Sequence, residues 1–156
     1  SGDHIYKMNY QKMIDFHVAN NSKCTIAVQP VAWEDAHRFG ILNTDENMKI
    51  TRFDEKPAKP ESNLASMGIY VFDTDALLEA ITSVEDPNLD FGKHIIPYML
   101  TKTDLYTYVF EDYWKDVGTY DAYLEASIDL TGTVDKIPYR PRRWPLLDRP
   151  KSYRRY

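Results

Sequence analysis

Leu64-Ala-Ser-Met-Gly-Ile-Tyr-Val-Phe72 (LASMGIYVF) is the most continuous apolar run of the chain. Its length and its β-branched and aromatic content predict a strand buried in a sheet. Gly68 sits in the middle of that run. A glycine inside a strand marks a bulge, or a place where a ligand or another backbone comes close. Directly after it, DTDALLEAI predicts a helix capped by Asp73 or Thr74. Directly before it, Pro57 to Asn63 carries two prolines and little apolar content, which predicts a loop.

Further out, Ile41 to Asn43 and Lys49 to Phe53 predict two short strands around the turn residues Asp45-Glu46-Asn47. Cys24 to Val28 is a β-branched run closed by Pro30, and predicts a buried strand. Tyr10, Met13, Ile14, His17 and Val18 follow helical spacing behind the candidate N-cap Asn9, and the helix should stop at Asn20-Asn21. On the C-terminal side, Asp90 caps FGKHIIPYML, which Pro97 should kink or shorten. Leu105 to Phe110 predicts an aromatic-rich strand, and Thr119 caps a last helix that ends before Gly132. Helices alternate with strands, so the expected class is α/β, with a mixed, mostly parallel sheet flanked by helices.

The chain has 156 residues, 43% hydrophobic and 28% charged, which is enough for one packed domain. No apolar run reaches the length of a membrane span, so no membrane partner is expected. The single Cys24 suits a reducing, cytoplasmic compartment. The four histidines show no metal-ligand spacing with one another or with Cys24, which argues against a zinc site. The net charge of −5 is uneven: from Pro138 onward there are seven Arg or Lys against Asp148 alone, leaving −11 for the rest. That tail reads as a solvated connector or, more sharply, as an anion-binding segment. The acidic body argues against a nucleic-acid partner.

In open α/β sheets ligands bind beyond the carboxyl ends of strands. Three stretches are candidates: Gly2-Asp3-His4, Asp54-Glu55-Lys56-Pro57, and Tyr113 to Thr119. Asp3 and Asp116 together would make a reasonable Mg²⁺ site, since magnesium takes one or two carboxylates and completes its shell with water and phosphate oxygens. The competing reading is that each aspartate merely caps a helix or ties a turn.

GDHIYKM, RFGI, DEKP, LASMGIYVF, DFGKHIIP and YWKDVGT, in this order, resemble the glucose-1-phosphate adenylyltransferase (ADP-glucose pyrophosphorylase) family. The resemblance is to the C-terminal, sugar-phosphate half of its catalytic domain, a Rossmann-like, GT-A-like nucleotidyltransferase fold. It covers residues 1–131, and 132–156 is similar to the connector towards a C-terminal β-helix. It implies the reaction of ATP with α-D-glucose 1-phosphate to ADP-glucose and diphosphate, in glycogen or starch synthesis. It also implies Mg²⁺ as cofactor, small-molecule allosteric effectors, and a homo-oligomer, usually a tetramer.

By the same resemblance Asp3 and Asp116 hold the metal and, with Lys56, are the catalytic set. Lys56 contacts the sugar phosphate, and Glu55 accepts hydrogen bonds from sugar hydroxyls. Ser66 bonds a further hydroxyl, and Gly40 and Gly68 let the sugar approach the backbone. Lys93 is a candidate phosphate contact, and Trp114 is expected to pack beneath the Asp116 loop. His94 and Asn9 depart from the family pattern, which has Asp or Asn at the first and commonly Asp at the second. The family's Gly-rich nucleotide loop has no counterpart in these 156 residues, so the expectation is a fragment that is inactive alone. A non-catalytic regulatory subunit, or another sugar-phosphate nucleotidyltransferase, is the alternative; retention of Asp3, Asp116 and Lys56 speaks against the first.

Overall fold

The computed structural model describes residues 2–131; the connector expected over 132–156 lies outside them. In chain order the elements begin with β1 (His4–Tyr6), α1 (Tyr10–Ala19), β2 (Cys24–Pro30), β3 (Gly40–Thr44), β4 (Ile50–Glu55) and β5 (Leu64–Phe72). They continue with α2 (Thr74–Ser83), α3 (Ile96–Leu100), β6 (Tyr106–Val109), β7 (Trp114–Asp116) and α4 (Tyr120–Leu130). The described residues divide into two compact units, Met8–Asp112 and the pair 2–7 with 113–131.

The Met8–Asp112 unit is built on a five-stranded sheet of order β4-β3-β5-β2-β6. The sheet is mixed and carries helices, as expected, but its weighting differs from the expectation. Only β2 and β6 run parallel, whereas β2–β5, β3–β5 and β3–β4 are antiparallel. The reason is topological: β4 returns beside β3 as a hairpin, and β5, joined to β4 by a helix-free loop that crosses over β3, inserts antiparallel between β3 and β2.

β2 is the buried strand that the β-branched run CTIAV predicts, since all five residues are buried. Cys24, Ile26 and Val28 join a cluster with Ala80, Ile95, Ile96 and Met99, contributed by α2, α3 and the turn before α3. The intervening Thr25 turns to α1, where its hydroxyl lies 2.8 Å from His17 Nδ1. Successive side chains of a strand point to opposite faces, so β2 is covered on both, and its polar Thr25 is accommodated by the bond to His17. Removing Ile26 alone from water contributes roughly 1.5–3 kcal/mol.

Local signals behave as the sequence predicts. Asn9 caps α1, its side chain accepting from Gln11 N–H at 3.0 Å, and the helix closes at Asn20. Asp73, rather than Thr74, caps α2. Pro97 breaks the segment after Asp90 in a specific way. Phe91–Ile95 forms a π-helical turn capped by Asp90, and the α-helix begins only at Ile96, with Pro97 in its first turn. Proline has no N–H to donate and its ring crowds the carbonyl four residues back, so the widened turn accommodates it.

Gly68 also behaves as predicted. Ile26 pairs with Tyr70 and Val28 with Ser66, so β5 has three residues where β2 has one. The bulge is centred on Gly68, whose φ of +65° is left-handed.

In the second unit β1 and β7 form an antiparallel pair, His4 opposite Asp116, Ile5 opposite Lys115 and Tyr6 opposite Trp114. Thr119 caps α4, accepting from Ala122 N–H. The Tyr113 hydroxyl donates to Asp129 Oδ2 at 2.9 Å, and Lys115 pairs with Glu125 of α4. Burial first, and then the Asp129 carboxylate, push the Tyr113 phenol up to about 12. Among the described residues no helix is long and apolar enough to cross a membrane.

Candidate functional site

Register decides which side chains meet in the β1–β7 unit. Because His4 stands opposite Asp116, Asp3 is brought to the end of the same short ladder. The Val117 N–H donates to the Asp3 carbonyl at 2.9 Å, which anchors the loop after β7 to the residue before β1. The Gly118 N–H donates to Asp116 Oδ1 at 3.0 Å and orients that carboxylate. A Cβ on Gly118 would lie 3.2 Å from Asp116 Oδ1 and 3.9 Å from Asp3 Oδ2, so glycine keeps the space beside both carboxylates open.

The result is a cluster of Asp3, His4 and Asp116 whose ligand atoms all lie within 4.8 Å of one another. His4 Nε2 is 4.0 Å from Asp3 Oδ1 and 3.9 Å from Asp116 Oδ2. The His4 side chain is 10% exposed, whereas the two carboxylates are 54% and 33% exposed and can be reached from solvent. The imidazole meets Trp114 edge-on at 5.4 Å between ring centres. Two hard oxygen donors that share a spot and remain accessible fit a magnesium ion that keeps water or phosphate oxygens in its shell. The predicted Asp3 and Asp116 are therefore brought together. His4, which histidine spacing alone set aside, joins them; the signal available in sequence was its place beside Asp3 in Gly2-Asp3-His4.

The predicted sugar-binding residues gather in the other unit. Gly40 is the register partner of Glu55, and it lies one step beyond the Ile41–Ala65 pair, towards Ser66. Glu55, Gly40 and Ser66 thus form a row across β4, β3 and β5, and residues directly opposite in a ladder share a face. Lys56 follows β4 with φ 47°, a left-handed conformation that costs a non-glycine residue about 1–3 kcal/mol. Its N–H donates to the Phe39 carbonyl at 3.1 Å, which holds the turn in which Lys56 and Glu55 stand exposed. The Ser66 hydroxyl accepts from the Gly68 N–H at 3.3 Å across the bulge.

Three neighbours of this row escape a reading of the sequence. Phe53 lies against Gly40 and Gly92, and the Glu55 carboxylate lies beside both glycines. Tyr70 has its phenol pushed up mainly by burial, with the Ser66 hydroxyl opposing. Gly92 arrives on the π-helical turn from a distant part of the chain, and nothing in DFGKHIIP announces that contact. The aspartate cluster belongs to one unit and the Gly40–Glu55–Ser66 row to the other.

Comparison with known proteins gives the family. The chain is 51% identical over 140 residues to a glucose-1-phosphate adenylyltransferase of Lachnospira eligens, covering 88% of this chain and 32% of that protein. It is 49% identical over 148 residues to the enzyme of that name from Acetivibrio thermocellus, and 51% identical over 148 residues to that from Clostridium acetobutylicum. Those matches cover 92% of this chain, and 35% and 39% of the two proteins, so the chain spans about a third of the length of the curated relatives it matches. A solved structure from Bacillus anthracis, named for glucose-1-phosphate thymidylyltransferase, superposes with a TM-score of 0.70 at 25% identity, covering 81% of this chain and 51% of that one. The nucleotidyl transferase family profile matches residues 1–133, the stretch that holds both the aspartate cluster and the Glu55 row, and the chain belongs to that family.

Proposed function

We propose that the whole protein is a glucose-1-phosphate adenylyltransferase, which joins ATP and α-D-glucose 1-phosphate to give ADP-glucose and diphosphate for glycogen or starch synthesis. The observation that carries the reading is the meeting of Asp3 and Asp116, drawn from opposite ends of the described chain by the β1–β7 register. Identity near 50% to enzymes of that name supports the adenylyl branch.

The chemistry asks little of side chains as acids or bases. A phosphate oxygen of the sugar phosphate, already anionic at neutral pH, forms the new bond to the α-phosphorus of ATP as the bond to diphosphate breaks. What the reaction needs is alignment of two mutually repelling phosphates and neutralisation of their charge. Asp3 and Asp116 would hold Mg²⁺, which supplies charge neutralisation when bound. Lys56, exposed at its pinned turn, places a cation for the sugar phosphate. Glu55 accepts from the sugar hydroxyls, Ser66 bonds another, Gly68 presents backbone with open space beside it, and Gly40 offers its backbone next to the Phe53 ring. The family resemblance further supports a cytoplasmic homotetramer controlled by small-molecule effectors.

The test is diphosphate release by the whole protein with glucose 1-phosphate and Mg²⁺, comparing ATP with dTTP, UTP and GTP. The expected result is a strong preference for ATP. Equal or better turnover with another nucleotide would move the protein to a different branch of the family.

A further inference from the structure

Gly92 and Glu55 meet beside one aromatic ring, that of Phe53. A Cβ on Gly40 would fall 2.7 Å from Phe53 Cζ, 3.2 Å from Phe53 Cε2 and 3.1 Å from Glu55 Oε2. A Cβ on Gly92 would fall 3.0 Å from Phe53 Cε1, 3.1 Å from Phe53 Cζ and 3.4 Å from the same Glu55 Oε2. The tip of the Phe53 ring and one oxygen of Glu55 therefore border both glycines. A side chain at either glycine would press on the same ring tip. Packed interiors transmit such displacements instead of absorbing them.

The two glycines are held by unrelated elements, which gives the arrangement its precision. Gly40 opens β3 and is fixed by its ladder to β4. Gly92 sits in the π-helical turn, whose shape is set by the Asp90 cap, with its carboxylate accepting from Lys93 N–H at 2.8 Å, and by Pro97. π-turns recur at functional sites because they re-aim part of a helix. Here the turn brings a residue without a side chain up to the Phe53 ring.

We infer that Gly92 is a positioning residue for the sugar subsite: by leaving room for the Phe53 ring it sets where the Glu55 carboxylate stands. The inference rests on the reading of Glu55 as acceptor of sugar hydroxyls, and it adds a third element, remote in sequence, to that subsite. Gly92 does not touch substrate. Its effect reaches the sugar through Phe53 and Glu55, and so it should act on sugar binding and leave nucleotide binding alone.

The experiment uses the whole protein, with steady-state kinetics for glucose 1-phosphate and for ATP on Gly92→Ala, Glu55→Gln and the double variant Phe53→Leu/Gly92→Ala. Gly92→Ala is expected to raise KM for glucose 1-phosphate by about tenfold while KM for ATP stays within about twofold. Phe53→Leu removes the ring tip, and the double variant is expected to return to within about threefold of the parent KM for the sugar. If Glu55→Gln raises the sugar KM and Gly92→Ala does not, the role of Gly92 is overturned while the reading of Glu55 stands. If Glu55→Gln leaves the sugar KM unchanged, the reading of Glu55 itself falls, and the inference with it. Should Gly92→Ala fail to fold, the double variant decides alone: a folded double variant with a tenfold sugar defect means the effect does not run through the ring, and recovery means it does.

Discussion

His4 and Asp116 face each other across β1 and β7, with His4 Nε2 3.9 Å from Asp116 Oδ2 and nearly the same distance from Asp3. Neither strand is longer than three residues. Three rungs of ladder thus gather two carboxylates and an imidazole, and the proposed role of that cluster can be tested one charge at a time.

Asp116→Asn keeps the size of the side chain and an oxygen for the Gly118 N–H, but removes the charge. In the whole protein the Mg²⁺ concentration for half-maximal rate should rise on the order of 100-fold, with little change in melting temperature. A magnesium titration of the initial rate checks it. An unchanged half-saturation point would take Asp116 out of the metal site.

Gly68 separates backbone cost from steric cost. Its φ is +65° and a Cβ there would meet nothing within 4 Å, so Gly68→Ala is penalised only by the left-handed conformation. That penalty is roughly 1–2 kcal/mol, smaller for Gly68→Asn, because asparagine tolerates this region. Denaturant unfolding of the two variants should rank glycine above asparagine above alanine. Equal stability of all three would mean that the bulge relaxes on substitution.

His17 supplies a pH dependence. It is 8% exposed, and desolvation holds its pKa below the ordinary 6.5; Lys23 acts in the same direction, and Asp73 opposes. Between the lowered folded value and 6.5 the unfolded chain binds the extra proton, so stability rises with pH across that window. It is complete above 6.5 and is lost on acidification below it. His17→Gln, which can still bond Thr25 Oγ1, should flatten that part of the melting temperature–pH profile. A wild-type profile that is already flat there would contradict the assignment.

Cys24 should be chemically silent in the native state. Its side chain is fully buried in the β2 core, and burial pushes the thiol far above its ordinary range, leaving almost no thiolate. A thiol reagent should label it only at the rate of unfolding. Rapid labelling of folded protein would show that the β2 core opens locally.

What the sequence determined by itself is what neighbours along the chain can encode. Asn9, Asp90 and Thr119 cap helices where predicted, because an N-cap needs only its own side chain and the next three backbone groups. Gly68 announced its bulge and Pro97 its break for the same reason. The residue types of the candidate site stand in six short motifs, in order along the chain. The tertiary structure alone decided the rest. The sheet is mostly antiparallel because β3 and β4 form a hairpin and β5 inserts between β3 and β2 antiparallel to both, which alternation of elements over the whole chain concealed. The β1–β7 ladder is too short to show a period, and it joins segments at opposite ends of the described chain. His4 joins the aspartates, and Gly92 reaches Phe53 and Glu55, only through such contacts. Local propensity carries no information about which distant backbones will close on one another; packing and register supply it once the chain has folded.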